Sequence, residues 1–408
     1  MSRTIWIVNQ FASHLEERHL NLSAYFAEKG CNVVVITASF HHGRHVYLYQ
    51  EEMKVVEKQP GVTYIYLKAW PQYMTGAGKR TLHMLDFCRR FDKHQKQIAE
   101  SFGKPDFVIA SSAPPFVWEI GYRAAKKYHA KFIAEFRDIW PLSLVEVQGT
   151  SANHPFVKLL EVVEKRAYKH ADAIVGTMPY AYKHVCDELG FPRSKVHWMP
   201  NGLNVQKAER ALTNPKLTLP KELDDFLSSH WCCVYIGSIV KSESVDYIIE
   251  AWKRVKDERV CMAVIGDGNK LPEIEQLIQK CDGARIRHFP SITTEQIPLA
   301  LEKAGCCLAA LPDFPIYRFG LSMNKLNDYL FSGKPTVFAC DVDNVVKDAG
   351  GLVVPFGDPQ LMADTIERAM TYTNDELKEI ATREQQIVRE CYDYRVIADR
   401  YLKLLESL

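Results

Sequence analysis

The sequence predicts an α/β protein made of two doubly wound domains facing each other across a cleft. Three observations predict it. The chain has 408 residues, too many for one hydrophobic core. Short apolar runs alternate with helical patterns, as in parallel sheets covered on both faces. The alternation stops near residue 200 and starts again near residue 231.

In the first half the strand-like runs lie at 5–8, 33–37, 63–67, 107–110, 132–135, 173–175 and 196–199. Helical patterns at 21–29, 81–102, 118–128 and 154–170 separate them. From Met199-Pro200-Asn201-Gly202 to about His230 the chain is polar and carries Pro215 and Pro220, which reads as a linker. Runs at 232–236, 260–265, 286–289, 306–310, 336–339 and 352–354 build the second half. The expected division is residues 1–203, a linker at 204–230, a second domain at 231–385, and a helix at 386–408 packing back on the first domain.

Composition narrows the class. With 47% hydrophobic and 25% charged residues and a net charge of +1, the chain reads as an ordinary globular protein without the broad basic field of a nucleic-acid binder. The eleven cysteines are odd in number and contain no C-x-x-C, so free buried thiols are expected. The chain enters a strand at Thr4 with no signal-peptide pattern, and no run is long enough to span a bilayer. A cytoplasmic protein, either free or peripheral on the inner face of the membrane, is the expectation.

The segment 316–339 is the most informative. It reads as a loop around Gly320, Leu321 and Ser322, then a helix carrying Asn324, Lys325 and Asp328. A glycine cap at Gly333 and a buried strand follow. A glycine loop opening a helix offers free N–H groups to an anion. Lys325 adds a cation and Asp328, one turn on, a carboxylate. That set suits a nucleotide diphosphate and its ribose, although an ordinary amphipathic helix with solvated charges gives the same spacing. Gly237-Ser238 and Gly266-Asp267-Gly268 also follow strands, so flexible loops gather at one sheet edge.

With these residues the second half resembles the donor domain of glycosyltransferase family 4, with its two-domain GT-B fold. The strings Tyr235-Ile236-Gly237-Ser238, Val264-Ile265-Gly266-Asp267-Gly268 and Gly350-Gly351-Leu352-Val353-Val354-Pro355 carry the resemblance. Lys325 with its surroundings is similar to a WbuB-like subgroup of bacterial surface-polysaccharide transferases. In the first half Glu135-Phe136-Arg137-Asp138-Ile139-Trp140-Pro141, Ser111-Ser112-Ala113-Pro114-Pro115, Glu17-Arg18-His19 and Pro200-Asn201-Gly202 support the same subgroup.

The resemblance implies a retaining transfer of a sugar from a nucleotide donor, a UDP-sugar, to a lipid-linked glycan, with no metal and no cofactor. Asp138 would accept the acceptor's proton or bond the donor sugar, and Arg137 would hold a phosphate oxygen; a structural ion pair is the alternative. Gly237, Ser238, Lys241, Gly266, Gly268 and Arg318 would join the 320–328 segment around the donor. Arg18, His19 and Asn201 would line the acceptor side, unless Arg18 and His19 only cap their helix. The wider family's Arg and Lys on the first donor loop are replaced by Ser238 and Glu243, which leaves Lys325 most of the diphosphate. Asp341 and Asp343 read as a turn opening a helix, not as a metal cradle.

Residues 79–97 hold six basic residues, Arg80, Arg89, Arg90 and Lys93 among them, against two acidic ones, interleaved with apolar side chains. They read either as a patch for an anionic membrane and lipid-linked acceptor or as a half-buried helix with a solvated face. A UDP-sugar 2-epimerase of the same fold and a non-catalytic GT-B partner protein are the other readings.

Overall fold

The structure is a computed structural model describing residues 3–13, 17–42, 45–73 and 76–408. It divides into one unit of Met1–Asn201 with Tyr394–Leu408 and another of Gly202–Asp393.

The first unit carries an eight-stranded sheet. Its strands are β1 (Thr4–Val8), β2 (Asn32–Ala38), β3 (Met53–Gln59), β4 (Val62–Leu67), β5 (Phe107–Ser111), β6 (Lys131–Phe136), β7 (Ala173–Gly176) and β8 (Val196–Trp198). Their order is β8-β7-β6-β5-β1-β2-β4-β3, all parallel except the β3–β4 pair. The strands β1, β5 and β7 are buried throughout and mostly apolar, as two covered faces require. β3 was not expected from the sequence. It is an edge strand with Lys54, Glu57 and Lys58, and such charges protect an edge while hiding the strand pattern.

The second unit has six parallel strands: β9 (Trp231–Ile236), β10 (Val260–Ile265), β11 (Ile286–Phe289), β12 (Cys306–Ala310), β13 (Thr336–Ala339) and β14 (Leu352–Val354). Their order is β11-β10-β9-β12-β13-β14. Counted within the unit this is 3-2-1-4-5-6, the doubly wound order. The winding reverses between β9 and β12, so loops after those strands diverge and open a crevice at their carboxyl ends.

Two boundaries differ from expectation. Residues 204–230 are not a loose linker but two helices, Val205–Thr213 and Lys221–Ser229. Val205, Leu223, Phe226 and Leu227 bury in the second unit's core. The polar signals act as helix starts: the Asn204 side chain accepts from Lys207 N at 2.9 Å, and Pro220 directly precedes the second helix. The chain's end is also broken later than expected. One helix runs Asn374–Ile387, and after a turn a second runs Tyr394–Ser407. Tyr394, Ile397, Tyr401 and Leu405 of the latter pack with Leu22 and Phe26 of the first unit.

All eleven cysteines are free thiols, seven of them buried. Among the described residues no helix is long and apolar enough to cross a membrane.

One buried group stands out in the second unit's core. Glu384 is fully buried, and neither carboxyl oxygen has a hydrogen-bond partner among the described residues. Burial pushes its pKa up to about 9, against a weaker opposing pull from Arg383. From the ordinary value of 4.5 to about 9 the folded protein keeps a proton that the unfolded chain has released. Stability therefore falls as pH rises through that window, by up to about 1.4 kcal/mol per pH unit. Glu384→Gln is expected to flatten this decline and to raise the melting temperature at pH 8; identical pH slopes for variant and parent would contradict it.

Candidate active site

In the second unit the helix Asn324–Ser332 starts after the turn Pro315–Phe319 and Gly320, whose φ of 84° favours glycine. Gly333, at φ 66°, ends it as expected. Lys325 is the helix's second residue, and its side chain runs to the end of β9. Its ammonium donates to the Tyr235 hydroxyl at 2.9 Å, lies 4.3 Å from that ring's centre, and pairs with the Glu243 carboxylate. The Tyr235 hydroxyl in turn donates to the Ser238 carbonyl at 2.7 Å. A Cβ at Gly237 would lie 2.7 Å from the Lys325 nitrogen, so the glycine (φ 155°) makes room for the lysine. Burial lowers the Lys325 pKa, while Glu243 opposes the drop. Burial first, and Glu243 second, raise that of Tyr235.

The structure brings Gly237, Lys325 and the loop after β9 together at the switch point. It changes the role of other residues. A Cβ on Gly266 would come 1.9 Å from the Gly237 carbonyl oxygen, and one on Gly268 would come 2.1 Å from that of Ile239. These glycines let two loops pack on each other; they are laced by Ile239 N to Asp267 O at 2.8 Å. Arg318 is exposed and turned onto its own segment, donating to Pro315 O at 2.7 Å and lying over Phe319. Leu321, Ser322 and Asp328 are half-buried along the same stretch, and Ser238 and Asn324 are exposed. Lys241 lines a neighbouring cavity of about 620 Å³ with Ser244, Asp246, Lys270 and Phe314. Asp343 pairs with Lys347 at the short helix Val345–Asp348.

The first unit holds a different cluster at its switch point, between β1 and β5. Glu135, at the end of β6, is completely buried. Arg18, in the first turn of the helix Glu17–Glu28, donates to it at 3.2 and 2.8 Å, and also to the carbonyls of Pro200 at 2.6 Å and Met199 at 3.1 Å. His19 lies 3.2 Å from the same carboxylate; Ser111 and Tyr401 donate to it at 2.7 and 3.3 Å. Burial alone would raise the Glu135 pKa, but the Arg18 charge and the His19 contact hold it well below the usual range. Arg18 and His19 are each 1% exposed. They are therefore neither acceptor-site nor capping residues but internal partners of Glu135. An inward-facing first turn explains the misreading, and an acidic residue inside the apolar run of β6 was its signal. Asn201 is buried at the end of the unit's first segment.

Directly after β6, Arg137 is half-buried and Asp138 exposed. Protein around the Asp138 carboxyl withdraws enough water to raise its pKa, and Arg137 opposes the rise. The side chain is thus reachable and nearer to neutrality than a free aspartate.

Three residues of the basic segment are ion-paired. On the helix Ala77–Phe102, Arg89 and Arg90 pair with Asp86 at 2.9 and 2.6 Å, and Lys93 with Glu52 at 2.6 Å. Arg80 is half-buried, and Met84, Phe87 and Phe91 point into the core. Glu52, from a distant loop, adds one carboxylate that counting along the helix misses, and a net positive charge remains on this segment.

Two doubly wound parallel sheets, with a lysine-bearing helix at the second one's switch point, are the architecture of the GT-B glycosyltransferases. The family comparisons make the assignment narrower. Residues 16–207 match the model of Glycosyltransferase Family 4, and residues 232–372 that of Glycosyl transferases group 1, so the chain belongs to the family 4 glycosyltransferases of GT-B fold. WcaI of Escherichia coli (strain K12), named for colanic acid biosynthesis, is 22% identical over 233 residues; the match spans 56% of this chain and 56% of the relative. Among solved structures, the Anabaena protein HepE in complex with UDP has a TM-score of 0.68 at 15% identity, covering 99% of this chain and all of that one. A trehalose-phosphate synthase from Burkholderia xenovorans with glucose-6-phosphate reaches 0.72 at 15%, over 99% and 100%. WaaG, a glycosyltransferase involved in lipopolysaccharide biosynthesis, reaches 0.65 at 12%, over 98% and 99%.

The Glu135 cluster has a measurable consequence. Glu135→Gln leaves Arg18 buried without its counter-ion, and denaturant unfolding is expected to show a loss of about 3–5 kcal/mol. A loss below about 1 kcal/mol would contradict the role given to the pair.

Proposed function

We propose that the protein is a retaining glycosyltransferase that moves a sugar from a UDP-sugar to a hydroxyl of a lipid-linked glycan in bacterial surface-polysaccharide synthesis. The observation carrying this reading is Lys325: a cation at the switch point of a doubly wound sheet, on the opening turn of a helix, against a glycine at the end of the first strand. Charge builds on the diphosphate as the sugar leaves. A fixed ammonium with the helix's free N–H groups stabilises that charge without reorganising. In this reading no divalent cation takes part, and Asp328 holds the ribose.

Support for the donor and pathway comes from the relatives. HepE is seen with UDP and with UDP-glucose, and WcaI and WaaG are named for colanic acid and lipopolysaccharide synthesis. Asp138 is the candidate to receive the acceptor's proton, since its exposure and raised pKa suit a general base. Arg137 supplies a forked donor for a phosphate oxygen.

A thermal-shift panel of UDP, GDP and their sugars tests the proposal. UDP is expected to raise the melting temperature, because ligand binding to the folded state alone stabilises it. Lys325→Ala is expected to weaken UDP binding on the order of 10- to 100-fold, the loss of a charge-assisted contact. No shift with any nucleotide would favour the non-catalytic reading; an unchanged affinity in Lys325→Ala would refute the site.

A further inference from the structure

We infer that Glu243 is an internal stand-in for the donor's diphosphate: it holds the Lys325 ammonium in the empty protein and is displaced when the nucleotide binds. The inference rests on the proposal that Lys325 grips the diphosphate, and it adds a residue that limits donor affinity.

The geometry points to Glu243 as the movable partner. Lys325 is anchored on a helix and by the Tyr235 hydroxyl at 2.9 Å, and its side chain is only 11% exposed. Glu243 sits on the single turn Lys241–Glu243, which has no buried residue, and its side chain is 20% exposed. That turn leads into Ser244, whose left-handed backbone (φ 43°) opens the helix Val245–Trp252. A small movement of this turn withdraws the carboxylate and leaves the lysine where it is.

The electrostatics require the exchange. An ammonium this far from water needs an anion beside it, and in the structure Glu243 is that anion. A diphosphate arriving at Gly237 brings its own negative charge to the same nitrogen. Two anions crowded on one cation repel, so the weaker-held carboxylate leaves. The state ready for donor is then only a fraction of the empty protein, and apparent affinity is reduced by that fraction. Tyr235 keeps the ammonium aimed in both states, because its hydroxyl is tied to the Ser238 carbonyl at 2.7 Å. Glu243 is thus a positioning residue that acts through Lys325 and touches no reacting atom.

Removing the carboxylate tests this, because a purely structural role predicts weaker binding and displacement predicts tighter binding. Calorimetric titration with UDP is expected to give a Kd about tenfold lower for Glu243→Gln than for the parent. The empty variant is expected to melt earlier and to show a larger shift on adding UDP. In a Lys325→Met background the gain from Glu243→Gln is expected to shrink at least threefold, since no cation remains to be released. UDP binding no tighter in Glu243→Gln than in the parent, or a coupling with Lys325→Met below threefold, overturns the inference alone. A parent protein that binds no UDP overturns the donor reading and this inference with it.

Discussion

A charge taken out of water must be met by an opposite charge, and both units of this protein are organised around one such demand. In the first unit it is Glu135, fully buried at the end of β6. Six groups converge on or around its carboxylate: Arg18 and His19 from the first helix, Ser111 from β5, Tyr401 from the last helix, and, through Arg18, the carbonyls of Met199 and Pro200. The start, middle and end of the chain are thereby fixed at one point. The pair is sealed, with both partners at 1% exposure or less. Such a pair adds little net stability over apolar packing, but losing either member is costly, which makes it a device for specifying one arrangement.

The second unit meets the same demand differently. Lys325 and Glu243 remain in partial contact with solvent, and one of them rides on a short exposed turn. In the proposed reading the sealed pair is a framework element and the leakier one a ligand seat, although both are acid–base pairs at the switch point of a doubly wound sheet.

Much of this was legible in the sequence. Apolar runs alternating with helical periodicity mark thirteen of the strands in the two sheets, and the fourteenth, β3, escaped because its edge position favours charges over a clean pattern. The segment around Lys325 was readable because glycine, lysine and cap residues lie within one helix of sequence. Its partners were not: Tyr235 and Glu243 sit 90 and 82 residues away, and only the fold of the sheet brings them to the ammonium. Arg18 and His19 were misassigned for a related reason. Polar residues in a first helical turn look like caps, and nothing local shows that the turn faces a buried carboxylate 117 residues on. The prolines after residue 213 likewise look like linker signals, whereas they lie between and before helices that bury apolar faces.

The central claim is that the nucleotide diphosphate seats at the carboxyl ends of β9 and β10 beside Lys325. Hydrogen–deuterium exchange with and without saturating UDP tests it most directly. Slowed exchange at residues 237–243, 266–268 and 320–328, with the buried strand β6 and the helix Tyr394–Ser407 unchanged, is the result the account predicts. UDP binding that leaves those three segments unprotected, or that protects a different face of the second unit, would contradict it.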